Sequence, residues 1–253
     1  ASAAPARNEN YREQLQRIAR AMACAQADAV VGDLEAGCDP QLVELFVAGN
    51  VEKRFEKLDK GLEFIREALP ERFDDLARRY MAERPLGAYD SGQFDGEKFL
   101  VWLSQNHALS PVERDYVACQ RARHAVENLA RTQRRAHVRF QELHSLAETL
   151  AGELPTNDRL SIHLNPIRVW ATFCTGELIG EPIDAPVDVL VFAVRTDTST
   201  ALLEEHGRQL VEELARLAPC TLSTWSAVSE HADRDELRQL CVDLADMGLV
   251  AFS

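Results

Sequence analysis

The stretch VDVLVFAVRTDTSTALL, residues 187–203, decides the fold. Residues 187–195 form a short apolar run rich in β-branched side chains, the pattern of a largely buried strand. Residues 195–200 (RTDTST) read as a turn, and 201–205 as a returning strand. Downstream the period becomes helical. Residues 207–217 carry Leu210, Val211, Leu214 and Leu217 at helical spacing, and 221–229 open on a capping Thr221. Residues 233–246 open on an Asp-x-x-Glu box (Asp233, Glu236) and turn Leu237, Leu240, Cys241 and Leu244 inward. Gly248 stops that helix, and 249–252 form a last apolar segment. The expectation is a winged-helix-like unit, a short antiparallel sheet followed by three helices. Pro166 lies in an earlier apolar stretch, so a strand there is an edge or a bulged one.

Upstream the pattern is helical. Tyr11, Leu15, Ile18, Ala19 and Met22 recur at helical spacing over 10–33. Asp39-Pro40 places a cap before a first-turn proline and opens a helix with Leu42, Leu45 and Phe46. The next stretch (Val51, Phe55, Leu58, Leu62, Ile65, Leu69) contains Gly61, where it bends or splits. Phe73, Leu76, Ala77, Tyr80 and Met81 form a further stripe, and Phe99, Leu100 and Leu103 mark a short helix over 94–106. Ser110-Pro111-Val112-Glu113 supplies a cap, a first-turn proline and a capping box for the longest helix, expected to run to about residue 150. Gly152 and Pro155-Thr156-Asn157 read as a linker. The fold class is therefore α+β, with a helical domain over 1–152 and a winged-helix-like domain over 153–253.

The chain has 253 residues and a formal net charge of -13, with 46% hydrophobic and 27% charged residues. That is the balance of a globular protein. It lacks the apolar run of roughly 20 residues that a membrane-spanning helix needs. Residues 1–10 read as a frayed end and not a secretory signal. The six cysteines, at 24, 38, 119, 174, 220 and 241, form no C-x-x-C pair and sit mostly in apolar patterns. They read as reduced thiols, which suits a cytoplasmic protein.

A search for chemistry finds no E-x-x-H, H-E-x-x-H, G-x-S-x-G, Walker A loop or G-x-G-x-x-G among the residues. His144/Glu148 and His231/Asp235 stand four apart, as surface pairs on helices do. The one basic stretch, residues 121–139, spreads Arg121, Arg123, Arg131, Arg134, Arg135 and Arg139 around a helix instead of along one face. It reads as a solvated helix, or else as a docking face for an acidic partner or a nucleic acid. No residue is assigned a catalytic or metal-binding role. Trp102, Trp170 and Trp225 read as core.

Two segments carry a resemblance. Within 50–106, the strings GNVEKRFEKL, LPERFDDLARRYMAERP and FDGEKFLVWL resemble the helical domain of the companion proteins of multinuclear non-haem iron oxidative enzymes. That group includes the companions of methanobactin and 3-thiaglutamate biosynthesis. Within 187–252, VDVLVFAVRTDTSTALL and DELRQLCVDLADMGLVAF are similar to their C-terminal domain, which resembles the recognition element for ribosomally made peptides. The resemblance implies a non-catalytic companion subunit. It would bind the leader of a precursor peptide, dock on a TIM-barrel iron enzyme and present a cysteine of the peptide for oxidative modification. It also implies that this chain holds no cofactor and that the iron sits in the partner enzyme.

The same resemblance implies where the peptide binds. An extended peptide adds a strand to an exposed sheet edge, and its side chains enter the neighbouring groove. Carried onto this chain, the edge is Thr200, Ala201, Leu202 and Leu203, and the groove wall is Leu237, Leu240 and Leu244. The alternative is a winged-helix DNA-binding regulator. It ranks lower because 221–229 (TLSTWSAVS) holds no Lys or Arg, and because Arg234 and Arg238 face five acidic residues in 233–246.

Overall fold

The computed structural model describes residues 13, 16, 40–84, 95–147, 150, 157 and 159–253. All of the expected helix over 10–33 but residues 13 and 16, the Asp39 cap, the break at 85–87 and most of the 152–157 linker lie outside them. Among the described residues the architecture mixes nine helices with two three-stranded antiparallel sheets. The chain divides into two compact units, Ala1–Glu113 and Arg114–Ser253.

In the first unit, α1 (Pro40–Gly61) and α2 (Glu63–Ala68) are split at the glycine, as Gly61 leads one to expect. They are followed by α3 (Phe73–Glu83) and α4 (Asp95–Asn106). The apolar stripes meet in an aromatic core. Phe73 and Phe99 lie 6.0 Å apart edge to face, and Tyr80 and Phe99 lie 5.4 Å apart. Such pairs add about 0.5–1.5 kcal/mol beyond the area they bury. One buried polar node ties three helices together. Arg54 of α1 donates from Nε and Nη2 to the Asp95 carboxylate of α4 at 2.7 and 2.9 Å, and the Tyr80 hydroxyl of α3 donates to the same carboxylate at 2.7 Å.

The second unit takes all but the first turn of α5 (Pro111–Thr132), with α6 (Arg134–His144), β1 (Ser161–Leu164), β2 (Arg168–Phe173), β3 (Val187–Val194) and β4 (Asp197–Leu202). There follow α7 (Glu205–Leu217), β5 (Cys220–Thr221), α8 (Leu222–Val228), α9 (Arg234–Asp246) and β6 (Val250–Phe252). The three C-terminal helices stand where their patterns place them. The Asp233/Glu236 capping box and the Thr221 cap are both formed. Ser110 and Glu113 also close their box, with Ser110 N–H donating to Glu113 at 2.6 Å and Glu113 N–H donating to Ser110 Oγ at 3.2 Å.

Several expectations need correction. The division expected at 152/153 falls at 113/114, because the long helix packs with the strands. Cys119, Ala122 and Val126 of α5 share a core with Val189, Val191 and Ala193 of β3. That helix does not run unbroken to residue 150. It breaks at Gln133, and α6 turns to bury Phe140 and to bond His144 Nε2 to the Ala245 carbonyl at 2.9 Å. No proline or glycine marks the break; two packing surfaces impose it. The returning strand begins at Asp197, four residues earlier than its apolar content indicates, and the turn shrinks to Arg195-Thr196. The single expected sheet is two. The order β2-β3-β4 precedes the three helices, while β5-β1-β6 is assembled from strands lying before, between and after them.

The middle sheet is covered on both faces. Val189, Val191 and Ala193 face α5, while Leu190 and Phe192 enter the core built by Leu210, Leu214, Trp225, Leu237 and Leu244. This alternation follows from the two-residue side-chain period of a strand.

Candidate functional site

Among the described residues the strand order leaves β4 at a sheet edge, paired with β3 alone. Its geometry follows from the hairpin. Val194 and Asp197 are register partners, so the loop has two residues, and Arg195 takes the positive φ of 56° that primed hairpin turns need at that place. In such a turn the N–H of the fourth residue donates to the carbonyl of the first. Antiparallel pairs then alternate between hydrogen-bonded and open. Asp197, Ser199 and Ala201 therefore spend their backbone groups on β3. Thr198, Thr200 and Leu202 direct theirs away from the sheet.

The turn itself is clamped by α6. Arg195 N–H donates to Gln141 Oε1 at 3.2 Å, and the Arg195 carbonyl lies 3.1 Å from His137 Nε2. At the other end, Leu203 packs beside Gly207 in the first turn of α7. A side chain added at Gly207 would touch the Leu203 Cβ at 3.7 Å. The edge is thus a short segment anchored at its turn by α6 and at its far end by Leu203 against the core.

The residues assigned to the site are not all placed alike. Thr200 and Leu202 carry the outward backbone groups, and the Leu202 side chain is 50% exposed. Register partners share a face, and their partners are Val191 and Val189, so both side chains stand on the α5 face of the sheet. Ala201 points to the opposite face and is buried against Leu190. Leu203 lies past the end of the strand. In α9, Leu237 and Leu244 are fully buried in the core. Only Leu240 is partly buried against that core and reaches the surface. The expected groove wall thus reduces to one leucine, while the edge keeps its open backbone.

Other polar positions are structural. Asp115, fully buried in α5, accepts from Cys174 N–H and Thr175 N–H at 2.7 Å each and from the Thr175 hydroxyl. It pins the loop that follows β2. A sequence signal existed, because Asp115 falls on the inward stripe with Cys119, Ala122 and Val126. Asn165, also fully buried, donates to the carbonyls of Ala193 (2.8 Å) and Gly248 (3.1 Å) and accepts from Ile167 N–H (2.9 Å). No local pattern announces it, since its partners are distant in sequence. Glu213 accepts from Trp225 Nε1 and the Ser229 hydroxyl. His231 lies 3.7 Å from Glu213, so the His231/Asp235 spacing is not where its contact lies.

Among the described residues, no group of three or more His, Cys, Asp or Glu could hold a metal ion. Cys119, Cys174, Cys220 and Cys241 are free thiols. Burial raises those of Cys119 and Cys220 and pushes Cys241 up to about 12, so these three resist forming the reactive thiolate. No described helix is long and apolar enough to cross a membrane.

No family model, curated protein or solved structure matches this chain.

Proposed function

We propose that this chain is a peptide-binding companion subunit. It takes the leader of a ribosomally made precursor along β4 and presents the peptide's cysteine to a TIM-barrel non-haem iron enzyme, which carries the metal and performs the oxidation. The observation that carries the reading is the edge of β4. Among the described residues, Thr198, Thr200 and Leu202 turn unpaired backbone donors and acceptors outward from a strand anchored at both ends. An extended peptide satisfies such an edge with main-chain hydrogen bonds. The clamp lowers the ordering cost of binding, because the receiving strand needs no rearrangement. The resemblance of 50–106 and 187–252 to the companion proteins supplies the identity of the partner. The helices offer a nucleic acid little, since α8 has no Lys or Arg and α9 carries more acidic than basic residues.

Affinity capture tests the reading. The tagged chain is recovered from lysate of its own host, and the eluate is assayed for iron and identified by mass spectrometry. Recovery of a stoichiometric iron-containing barrel enzyme is the expected result. Elution alone, or with nucleic acid that salt removes, overturns it.

A further inference from the structure

The first unit holds a cleft of about 410 Å³ lined by Arg72, Asp75, Leu76, Arg79 and His107. Its walls come from one face of α3, where Arg72, Asp75 and Arg79 are exposed, and from His107 just past the end of α4. The carboxylates around it are unevenly used. Glu113 lies 3.2 Å from Arg72 and also closes the Ser110 capping box. Glu83, one turn beyond Arg79 on the same helix, accepts from the indole N–H of Trp102 at 2.8 Å. Arg79 is left with no carboxylate partner among the described residues. Asp75 shares the rim but forms no ion pair with it.

The histidine records the local field. Its ring packs edge-on to Trp102 with centroids 4.9 Å apart, and its Nε2 is buried with no hydrogen-bond partner. Burial, then Arg79 and Arg72, hold its pKa below the ordinary value, and Glu83 opposes them more weakly. At the ring the two guanidiniums outweigh the Glu83 carboxylate.

We propose that this cleft is a binding site for a small oxyanion, a carboxylate or a phosphate, held by the guanidinium of Arg79 with Arg72 beside it and His107 at its back. A guanidinium fork matches both geometries and binds them bidentately. Leu76 gives the site an apolar floor that strengthens the contact by keeping water from one side. The bound anion cancels the positive field at His107, so the ring takes up a proton more readily in the complex. By linkage, an anion of fixed charge such as acetate binds more tightly as pH falls through the His107 pKa of the complex. This site is independent of β4, and the capture experiment above does not bear on it.

The test uses the full chain and two probes, inorganic phosphate and acetate, followed by the ring resonances of His107 in NMR. A saturable shift with either probe is expected, with the His107 titration moved upward in its presence. Which probe saturates first names the oxyanion. Arg79→Gln removes an exposed side chain without an ion-pair partner, so the fold is retained and the affinity falls at least tenfold. Arg79→Lys, which keeps the charge and loses the fork, gives an intermediate affinity. A linear drift with no saturation, or saturation unchanged in Arg79→Gln, overturns the proposal.

Discussion

Proline placed at two adjacent positions of β4 separates the open edge from the ladder. Ala201 is 5% exposed and its backbone is bonded to Leu190, which is fully buried. Ala201→Pro removes one ladder bond, about 1 kcal/mol net, and strands the Leu190 carbonyl, a further 1–3 kcal/mol or so. It also crowds a packed site at roughly 1–3 kcal/mol. The sum is about 3–7 kcal/mol. Leu202 directs its N–H away from the sheet and is already half exposed. Leu202→Pro loses only part of one leucine's burial, about 1 kcal/mol. Denaturant titration of both variants, followed by circular dichroism, reads the difference directly. Leu202→Pro should also abolish binding of the leader peptide at that small cost in stability, because the ring occupies the donor position of the edge. Equal destabilisation by the two prolines would refute the alternation on which the site rests.

Further outcomes follow from the buried polar positions. Asn165→Leu leaves two carbonyls and one N–H unpaired in the core, and it should destabilise the second unit by about 3–5 kcal/mol in denaturant titration. Gly248 has a φ of 85°, and an added Cβ would lie 3.1 Å from Val194. Gly248→Ala should cost about 1–3 kcal/mol by the same assay. His107 and His163 both titrate below the ordinary histidine value, chiefly through burial. The unfolded chain therefore binds more protons than the folded one below about pH 6.5. Stability should fall as pH drops from that value through the folded pKa, and His107→Gln with His163→Gln should flatten the slope. In the native protein iodoacetamide should label Cys174, which is exposed, and spare Cys119 and Cys241; peptide mapping checks this.

The elements with strong local chemistry were legible in the sequence. The Asp233/Glu236 and Ser110/Glu113 boxes fix helix starts within a few residues, and 187–194 is too apolar and β-branched to be anything but a strand. Gly61 and Gly248 mark real ends. The misses have a common cause, which is that the deciding partners are far away. The strands β1, β5 and β6 have four, two and three residues, too short to show a period. The polar run at 197–200 forms a strand because β3 offers it a partner, and threonine suits an edge. The break at Gln133 has no residue to announce it. The strand edge at 197–202 overlaps the stretch read as the edge, but the pleat decides which side chains flank it. A list of four consecutive residues cannot describe a surface on which alternate ones face opposite ways. For the leucines of α9, spacing alone does not separate an inward stripe from a binding one, because the two have the same period.

The pairing of β1 with β6 also has a consequence for how the protein is made. His163 reaches Ser253 across 90 positions of chain, and Val250, Ala251 and Phe252 are wholly buried. A ribosome delivers β1 long before it delivers the strand that covers it. During that interval Ile162 and Leu164 have β5 as their nearest possible partner, a strand of two residues, and their apolar faces wait in water. Closure of this unit therefore waits until β6 has left the exit tunnel. Until then the nascent chain is a substrate for chaperones.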